Sequence, residues 1–386
     1  MCTSSWRVRP GCKHWGVADI GLQSLADDAC RIGRDAGLAA VGVAGAEPFE
    51  GTRRVLEERK RAGLHGGMEF TYRNPARSTD PGRTVPGAQA LVVGALDYRR
   101  AAEQPAPGAR GEVARYAWRD HYATLRDALE LIAARLRDDG WTARVVVDDN
   151  ALVDREAAYR AGLGWYGKNT NLLLAEGGSW FVLGSVVTDA PLPETGPPQA
   201  DGCGGCTRCL TACPTGALVA PGVLDARRCL AWLLQATGPF PPEYRVALGG
   251  RVYGCDDCQE VCPPNRAFDR RQPPLAAEDD ATPSISLTDL LALDDDALLA
   301  EVGRWYVPRR EARYVRRNAL VALGNVGDGD DPAVVDALTA CLADSDSIVR
   351  GHAVWAADRL GRRDLLAPLA GDNDPDVRAE LAAVGL

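Results

Sequence analysis

The sequence predicts a mixed α/β (α+β) domain first, a compact cysteine-rich segment next, and a helical repeat tail. Three observations carry this. Strand-like and helix-like stretches alternate from about residue 21 to 200, and eight of the twelve cysteines are bunched between 203 and 262. A Val-Arg step then recurs at 315, 349 and 377, each time opening an Ala/Leu-rich helix. At 386 residues the chain exceeds what one core fills, so two or three domains are expected. The boundaries suggested are 1–20 (a disordered extension), 21–200, 201–270, 271–303 (linker and first helices) and 304–386.

In the first domain, LADDACRIGRDAGLAAVGVAG places apolar residues at helical spacing before a short strand. GTRRVLEERKRAG is a second helix and AQALVVGALDY a buried strand. HYATLRDALELIAARLRDDG reads as a helix closed by Gly140, ARVVVD as a strand, DREAAYRAGLGW as a helix and SWFVLGSVVTD as a strand. Such alternation favours a sheet covered by helices. The Pro-rich run PLPETGPP (191–198) marks the domain's end, and RQPPLAAEDDATP reads as a linker. The tail repeats, YVRRNALVALGNVG, IVRGHAVWAADRLG and DVRAELAAVGL, have nearly the period of HEAT-type units, which bury their faces only by stacking.

Apolar content is 46% and charged content 25%, values of a soluble globular chain. Apolar stretches such as Ala90–Leu96 are far short of a membrane span. The first twenty residues have no apolar core, so they do not read as a secretory signal. A net charge of −9 argues against blanket nucleic-acid affinity but leaves room for a local basic face. CxxC spacing favours metal over disulfides and points to a reducing, cytoplasmic setting.

The first cysteine run is Cys203-x2-Cys206-x2-Cys209-x3-Cys213-Pro214, and the second is Cys255-x2-Cys258-x3-Cys262-Pro263. This is the bacterial two-cluster ferredoxin pattern, in which the last cysteine of each run crosses to the other cubane. The second run is one thiolate short, and Cys229 is the natural donor. The expected ligand sets of the two [4Fe–4S] clusters are Cys203, Cys206, Cys209 and Cys262, and Cys213, Cys229, Cys255 and Cys258. Structural zinc is the alternative, but it does not need two x3-Cys-Pro endings.

A pure electron carrier needs neither the preceding domain nor the tail, so the clusters are expected to feed a second redox centre. The densest candidate stretch is VVVDDNALVDREAAYRAGLGWYGKNTNL (145–172). In it Gly162, Gly164 and Gly167 permit close backbone approach beside Trp165, and Lys168, Asn169 and Thr170 offer polar anchors for a flat cofactor. A phosphate-binding P-loop is excluded, because Asn169 follows Lys168.

AGLGWYGKNTNLL, VDDNALVDREAA, GCDDCQEVCPPN and the terminal repeats together resemble the epoxyqueuosine reductase family. The resemblance spans roughly residues 21–386. It implies a cobalamin-binding catalytic domain, a bacterial ferredoxin-like domain with two [4Fe–4S] clusters and a HEAT-like domain that binds tRNA. The implied reaction removes the epoxide oxygen of epoxyqueuosine at the wobble position of tRNA with a GUN anticodon. The implied chain is a cytoplasmic monomer, fed by a low-potential electron donor. By the same resemblance Asp148 is the proton donor, and Cys255 and Asp256 lie at the corrin edge. Where many relatives have Gly-Pro in the turn after that aspartate, this chain has Asn150-Ala151, which leaves Asp149 as an alternative donor. None of His14, His65, His121 and His352 lies in a DxHxxG box, so the expected cobalamin is base-off. Two other readings stay open: an electron-transfer module without cobalamin, and a corrinoid dehalogenase-like enzyme acting on a small molecule.

The stretch RWYVPRREARYVRRNAL (304–320) supplies the expected RNA face, with Arg309, Arg310, Arg313, Arg316 and Arg317 for phosphates and Trp305, Tyr306 and Tyr314 for bases.

Overall fold

The computed structural model describes residues 17–101, 107–276 and 280–386. The extension expected over 1–20 falls largely outside the described residues; the part inside them, from Val17, is already helical, in a helix running to Asp35.

Among the described residues, eleven strands form the framework: β1 (Ala40–Gly45), β2 (Ala90–Asp97), β3 (Arg110–Val113), β4 (Ala143–Val147), β5 (Gly164–Tyr166), β6 (Leu172–Leu174), β7 (Phe181–Thr188), β8 (Leu218–Ala220), β9 (Val223–Leu224), β10 (Arg251–Tyr253) and β11 (Ser284–Ser286). The main sheet has the order β1-β2-β7-β4 and is antiparallel throughout. Its strands are apolar on both faces because helices cover both. Val43, Val92 and Val186 face the helices Val17–Asp35 and His121–Asp138. Their neighbours Ala44, Leu91, Val93 and Val187 face the helix Asp154–Arg160. Helix His121–Asp138 buries Leu125, Leu129, Ile132 and Leu136, the stripe its sequence spacing dictates, and is capped by Asp120, which accepts from the Ala123 amide.

β3 sits between β10, parallel to it, and β11, antiparallel to it. One small sheet therefore joins the first domain, the cysteine-rich segment and the stretch expected to be a linker. Its residues Val113, Val252, Tyr253 and Ile285 belong to a core that continues through Leu320, Leu323, Val349 and Val377 of the repeats.

The repeat signature has a physical reading. Asp331, Asp346 and Asp374 are N-caps whose carboxylates accept from amides of the next turn, each worth about 1 kcal/mol. The recurring Val is buried, at Val315, Val349 and Val377. The recurring Arg pairs with an acidic residue of a neighbouring turn: Arg316 with Asp295, and Arg350 with Asp372 at 2.7 Å.

Among the described residues, no helix is long and apolar enough to cross a membrane.

Candidate active site

β4 ends at Val147, and Asp148 follows with φ 49°, in the left-handed region that a non-glycine residue rarely adopts. The turn is held from both sides. Asp149 Oδ1 accepts from the Ala151 amide at 2.8 Å, Ser78 Oγ donates to the Asn150 carbonyl at 2.7 Å, and the Val153 amide donates to the Ser78 carbonyl at 3.0 Å. These bonds occupy Asp149, while the Asp148 carboxylate forms no hydrogen bond among the described residues. Asp148 keeps an exposed edge, and its partial burial raises its pKa above the usual carboxylate value; Arg126 opposes the rise, and Asp120 and Asp149 add to it. Arg126 is fixed at the strand end by a bond to the Val147 carbonyl at 3.3 Å.

Asp154 stands one turn further on, in the first turn of helix Asp154–Arg160. Burial, with the charge of Asp148 second, pushes its carboxyl well above the ordinary range, and its Oδ1 is a buried acceptor without a hydrogen bond. Tyr122 lies in the field of both carboxylates, and burial raises its phenol first of all. Tyr253, from β10, also feels Asp148, and Tyr116 hydrogen-bonds to Tyr253. Arg155 acts on Asp148's neighbours Asp154 and Tyr122, and also on Cys229. The sequence reading missed Asp154, Tyr122, Arg126 and Arg155. Asp154 was visible inside VDDNALVDR but reads there as a plain helix start.

The cysteines separate into two neighbourhoods. Cys262 lies in the field of Cys203, Cys209 and Cys206. Cys229 lies in that of Cys213, Cys255 in that of Cys229, and Cys258 in that of Cys255 and Cys229. The neighbourhoods touch through Cys258 and Cys209. Among the described residues, no three His, Cys, Asp or Glu side chains converge on a single metal ion.

In the hairpin β5–β6, two of the residues expected to anchor a cofactor, Lys168 and Asn169, reach the cysteine segment. Lys168 Nζ donates to the carbonyls of Gly204 (2.6 Å) and Cys206 (2.9 Å), and Asn169 Nδ2 donates to that of Cys258 at 3.4 Å. Trp165 is buried against Leu173, Cys203 and Cys262. Gly164 is required because a Cβ there would stand 2.0 Å from the Leu173 carbonyl oxygen across the hairpin. Gly167 is likewise packed on Leu173 and Asn169. Thr170 has φ 68°, and its carbonyl accepts from Arg155 at 3.3 Å. Asp256 is also internal, accepting from the Arg115 amide at 2.8 Å and from Gln259 at 3.0 Å.

Most of the expected RNA face is committed elsewhere. Arg317 is 1% exposed and donates to the carbonyls of Leu233, Leu234, Ala236 and Gly238. A guanidinium spent on buried carbonyls cannot reach a phosphate, so Arg317 is not an RNA ligand. Arg313 pairs with Glu311 and Asp346, Arg316 with Asp295, and Arg310 donates to the carbonyls of Gly303 and Leu299. Trp305 and Tyr314 are buried, Trp305 being stacked on Tyr253 at 4.6 Å. Arg309, at φ 52°, and Tyr306, 59% exposed, stay on the surface beside Tyr253, whose hydroxyl accepts from the Tyr306 amide.

Three family models match: the 4Fe-4S double cluster binding domain over residues 202–265, HEAT repeats over 304–385, and Epoxyqueuosine reductase QueG, DUF1730, over 78–149. The chain is 33% identical to the epoxyqueuosine reductase of Bacillus cereus over 89% of its length and 90% of that protein's. It is 36% identical to that of Xanthomonas campestris, covering 87% of this chain and 97% of the relative. Its fold matches a crystal structure of selenomethionine-labelled epoxyqueuosine reductase with a TM-score of 0.84 at 30% identity, over 94% of this chain and 98% of that one. An epoxyqueuosine reductase with an epoxyqueuosine-modified tRNA-Tyr stem loop matches equally well, at a TM-score of 0.84 and 29% identity over the same shares of the two chains. With a double 4Fe-4S cluster segment and HEAT repeats in place, and relatives matched almost end to end, this chain belongs to the epoxyqueuosine reductase family of oxidoreductases.

Proposed function

We propose that the protein reduces epoxyqueuosine at the anticodon wobble position of tRNA to queuosine, in the cytoplasm, using cobalamin and two [4Fe–4S] clusters. The observation that supports this is that the charge of Arg155 acts both on Asp154 and Tyr122, neighbours of Asp148, and on Cys229 of one cysteine neighbourhood. A proton-holding group then lies within electrostatic reach of an electron-supplying one.

The two thiol neighbourhoods suit the two cubanes, with Cys203, Cys206, Cys209 and Cys262 on one and Cys213, Cys229, Cys255 and Cys258 on the other. For cobalamin the fit rests on the chemistry of this group: the phenols of Tyr116, Tyr122 and Tyr253, and a buried acceptor, Asp154 Oδ1, that has no hydrogen bond and would take an amide donor of the kind that fringes a corrin ring. If bound there, in the base-off state proposed for it, cobalamin would supply low-potential cobalt chemistry for reductive cleavage of a C–O bond. The chain's own part is proton supply and exclusion of water. The net reaction takes two electrons and two protons, turning the epoxide into an alkene and water. Asp148, free of hydrogen bonds among the described residues, holds a proton to a higher pH than an ordinary carboxyl and can place it on the opening oxygen. Asp149, engaged with the Ala151 amide, is the weaker donor candidate.

The anticodon loop, single-stranded and unstacked, enters between two rims. Arg309 and Tyr306 form one, beside Tyr253. The other is the segment 54–77, whose end packs on Asn150 through Ser78; it exposes Arg54, Arg61, Arg73 and Arg77, which form no ion pair among the described residues.

The test is anaerobic reconstitution with iron, sulfide and cobalamin, then EPR before and after reduction and an assay on epoxyqueuosine-containing tRNA with a GUN anticodon. Base-off cobalt(II) and reduced cubane signals with product formation support the reading. Cubane signals without retained cobalamin or turnover leave an electron-transfer module in its place.

A further inference from the structure

We infer that the helical repeats hold one of the two clusters in shape, with Arg317 and Asn318 as positioning residues for the Cys229 and Cys255 thiolates. The inference rests on the cluster assignment above.

In the set Cys213, Cys229, Cys255 and Cys258, 25 residues separate Cys229 from Cys255. A span of that length does not fix its own ends; something else must. It packs on the repeats: Leu230, Leu233, Leu234, Phe240 and Leu248 form a core with Val321 and Trp355 of the repeats, and Cys255 packs against that core.

The polar contacts fall at both arms of the span. Cys229 is the N-cap of the short helix Leu230–Leu233, and Arg317 closes the other end of that helix. Its Nη2 donates to the Leu233 carbonyl at 3.1 Å, and its Nη1 to those of Ala236 (2.8 Å) and Gly238 (2.6 Å). The Leu233 carbonyl ends the helix, and those of Ala236 and Gly238 lie in the turn beyond it, so one guanidinium ties the helix end to the turn that follows. Asn318, aligned by accepting from Arg317 Nε at 3.1 Å, bridges the two arms: its Nδ2 donates to the Leu234 carbonyl at 2.8 Å and to the Val252 carbonyl at 3.4 Å. The first lies five residues after Cys229 and the second three before Cys255. The middle of the span is tied down as well. Asn325 donates to the carbonyls of Arg245 and Gly249, His352 Nε2 accepts from the Phe240 amide at 3.0 Å, and Arg245 pairs with Glu380. The fourth side of the cluster site is thus built by the repeats, so they act as a scaffold for a redox centre.

Iron is counted per chain after anaerobic reconstitution and gel filtration, with EPR on the reduced protein. Wild type is expected to hold eight iron atoms in two interacting cubanes. Arg317→Met keeps the bulk and loses the donors; it is expected to retain about four and give the signal of a single, isolated cluster. Asn318→Leu, a milder change, is expected to lose iron from one cluster to a chelator about ten times faster than wild type, which keeps the question answerable if Arg317→Met fails to fold. Arg350→Gln breaks the pair with Asp372 elsewhere in the repeats and is expected to lower Tm while keeping all eight. The inference is overturned if the two clamp variants keep eight irons and wild-type chelator kinetics, or if Arg350→Gln loses iron as they do. Wild type binding no iron would instead overturn the cluster assignment itself.

Discussion

Asp148 and Asp149 are adjacent carboxylates with different work. Asp149 shapes the turn, and Asp148 is free of hydrogen bonds among the described residues, with a raised pKa. A general acid must be protonated, so the rate should fall as pH rises through that raised pKa. Asp148→Asn is expected to cut turnover by at least about 100-fold, with cobalamin and tRNA still bound. Asp149→Asn is expected to keep most of the activity and shift the descending limb to lower pH, because a neighbouring negative charge is removed. Arg126→Gln should shift it to higher pH, because the opposing cation is gone. A pH–rate profile of the three variants reads all of this, and equal losses in Asp148→Asn and Asp149→Asn would refute the division of labour.

At the level of elements, the repeats and the cysteine segment are locked by groups that are buried in one charge state. His352 lies between the Ile348 carbonyl and the Phe240 amide, and burial lowers its pKa to about 3. Below pH 6.5 the unfolded chain takes up a proton that the folded chain refuses. Stability should therefore fall as pH drops from 6.5 toward 3, by about 2 kcal/mol at pH 5 from this residue alone. His121, lowered to about 4, adds in the same direction. Denaturant midpoints at pH 7.5 and pH 5 should show that drop, and His352→Gln should flatten it. The cysteine pairing is checkable at the same scale. Cys262→Ser should damage the cluster shared with Cys203, Cys206 and Cys209, and Cys229→Ser the other, each leaving about four irons. The surviving EPR signals should differ, and identical spectra would refute the crossing of Cys262.

Across the whole molecule, RNA affinity should come from the two rims rather than from the repeat arginines. Arg309→Ala should reduce the slope of log affinity against log salt by about 0.7, and the triple change Arg61→Gln, Arg73→Gln, Arg77→Gln by about 2. Arg313→Gln should leave the slope unchanged, since Glu311 and Asp346 already neutralise that charge. Filter binding across a salt series decides it. What could be read in advance follows from range. The cysteine runs, the Asp148 turn and the repeat period were legible because each is written in consecutive residues. Arg316 and Arg317 look alike on the page, yet one pairs with Asp295 and the other caps a buried helix end, because helix Arg313–Val326 packs on a segment some 80 residues earlier. The strand-forming pieces RGEV, RVY and SIS are too short to carry a pattern, and they become strands only on meeting one another.

That meeting has a consequence for the newborn chain. β3 is made early, but both its partners lie beyond residue 250. While the ribosome is still translating the middle of the message, β3 offers two bare edges to whatever is nearby. Its first edge closes only when β10 has emerged, and its second only when β11 has. Synthesis stalled before that point would release a polypeptide with an unpaired strand, the kind of edge that recruits other chains or a chaperone.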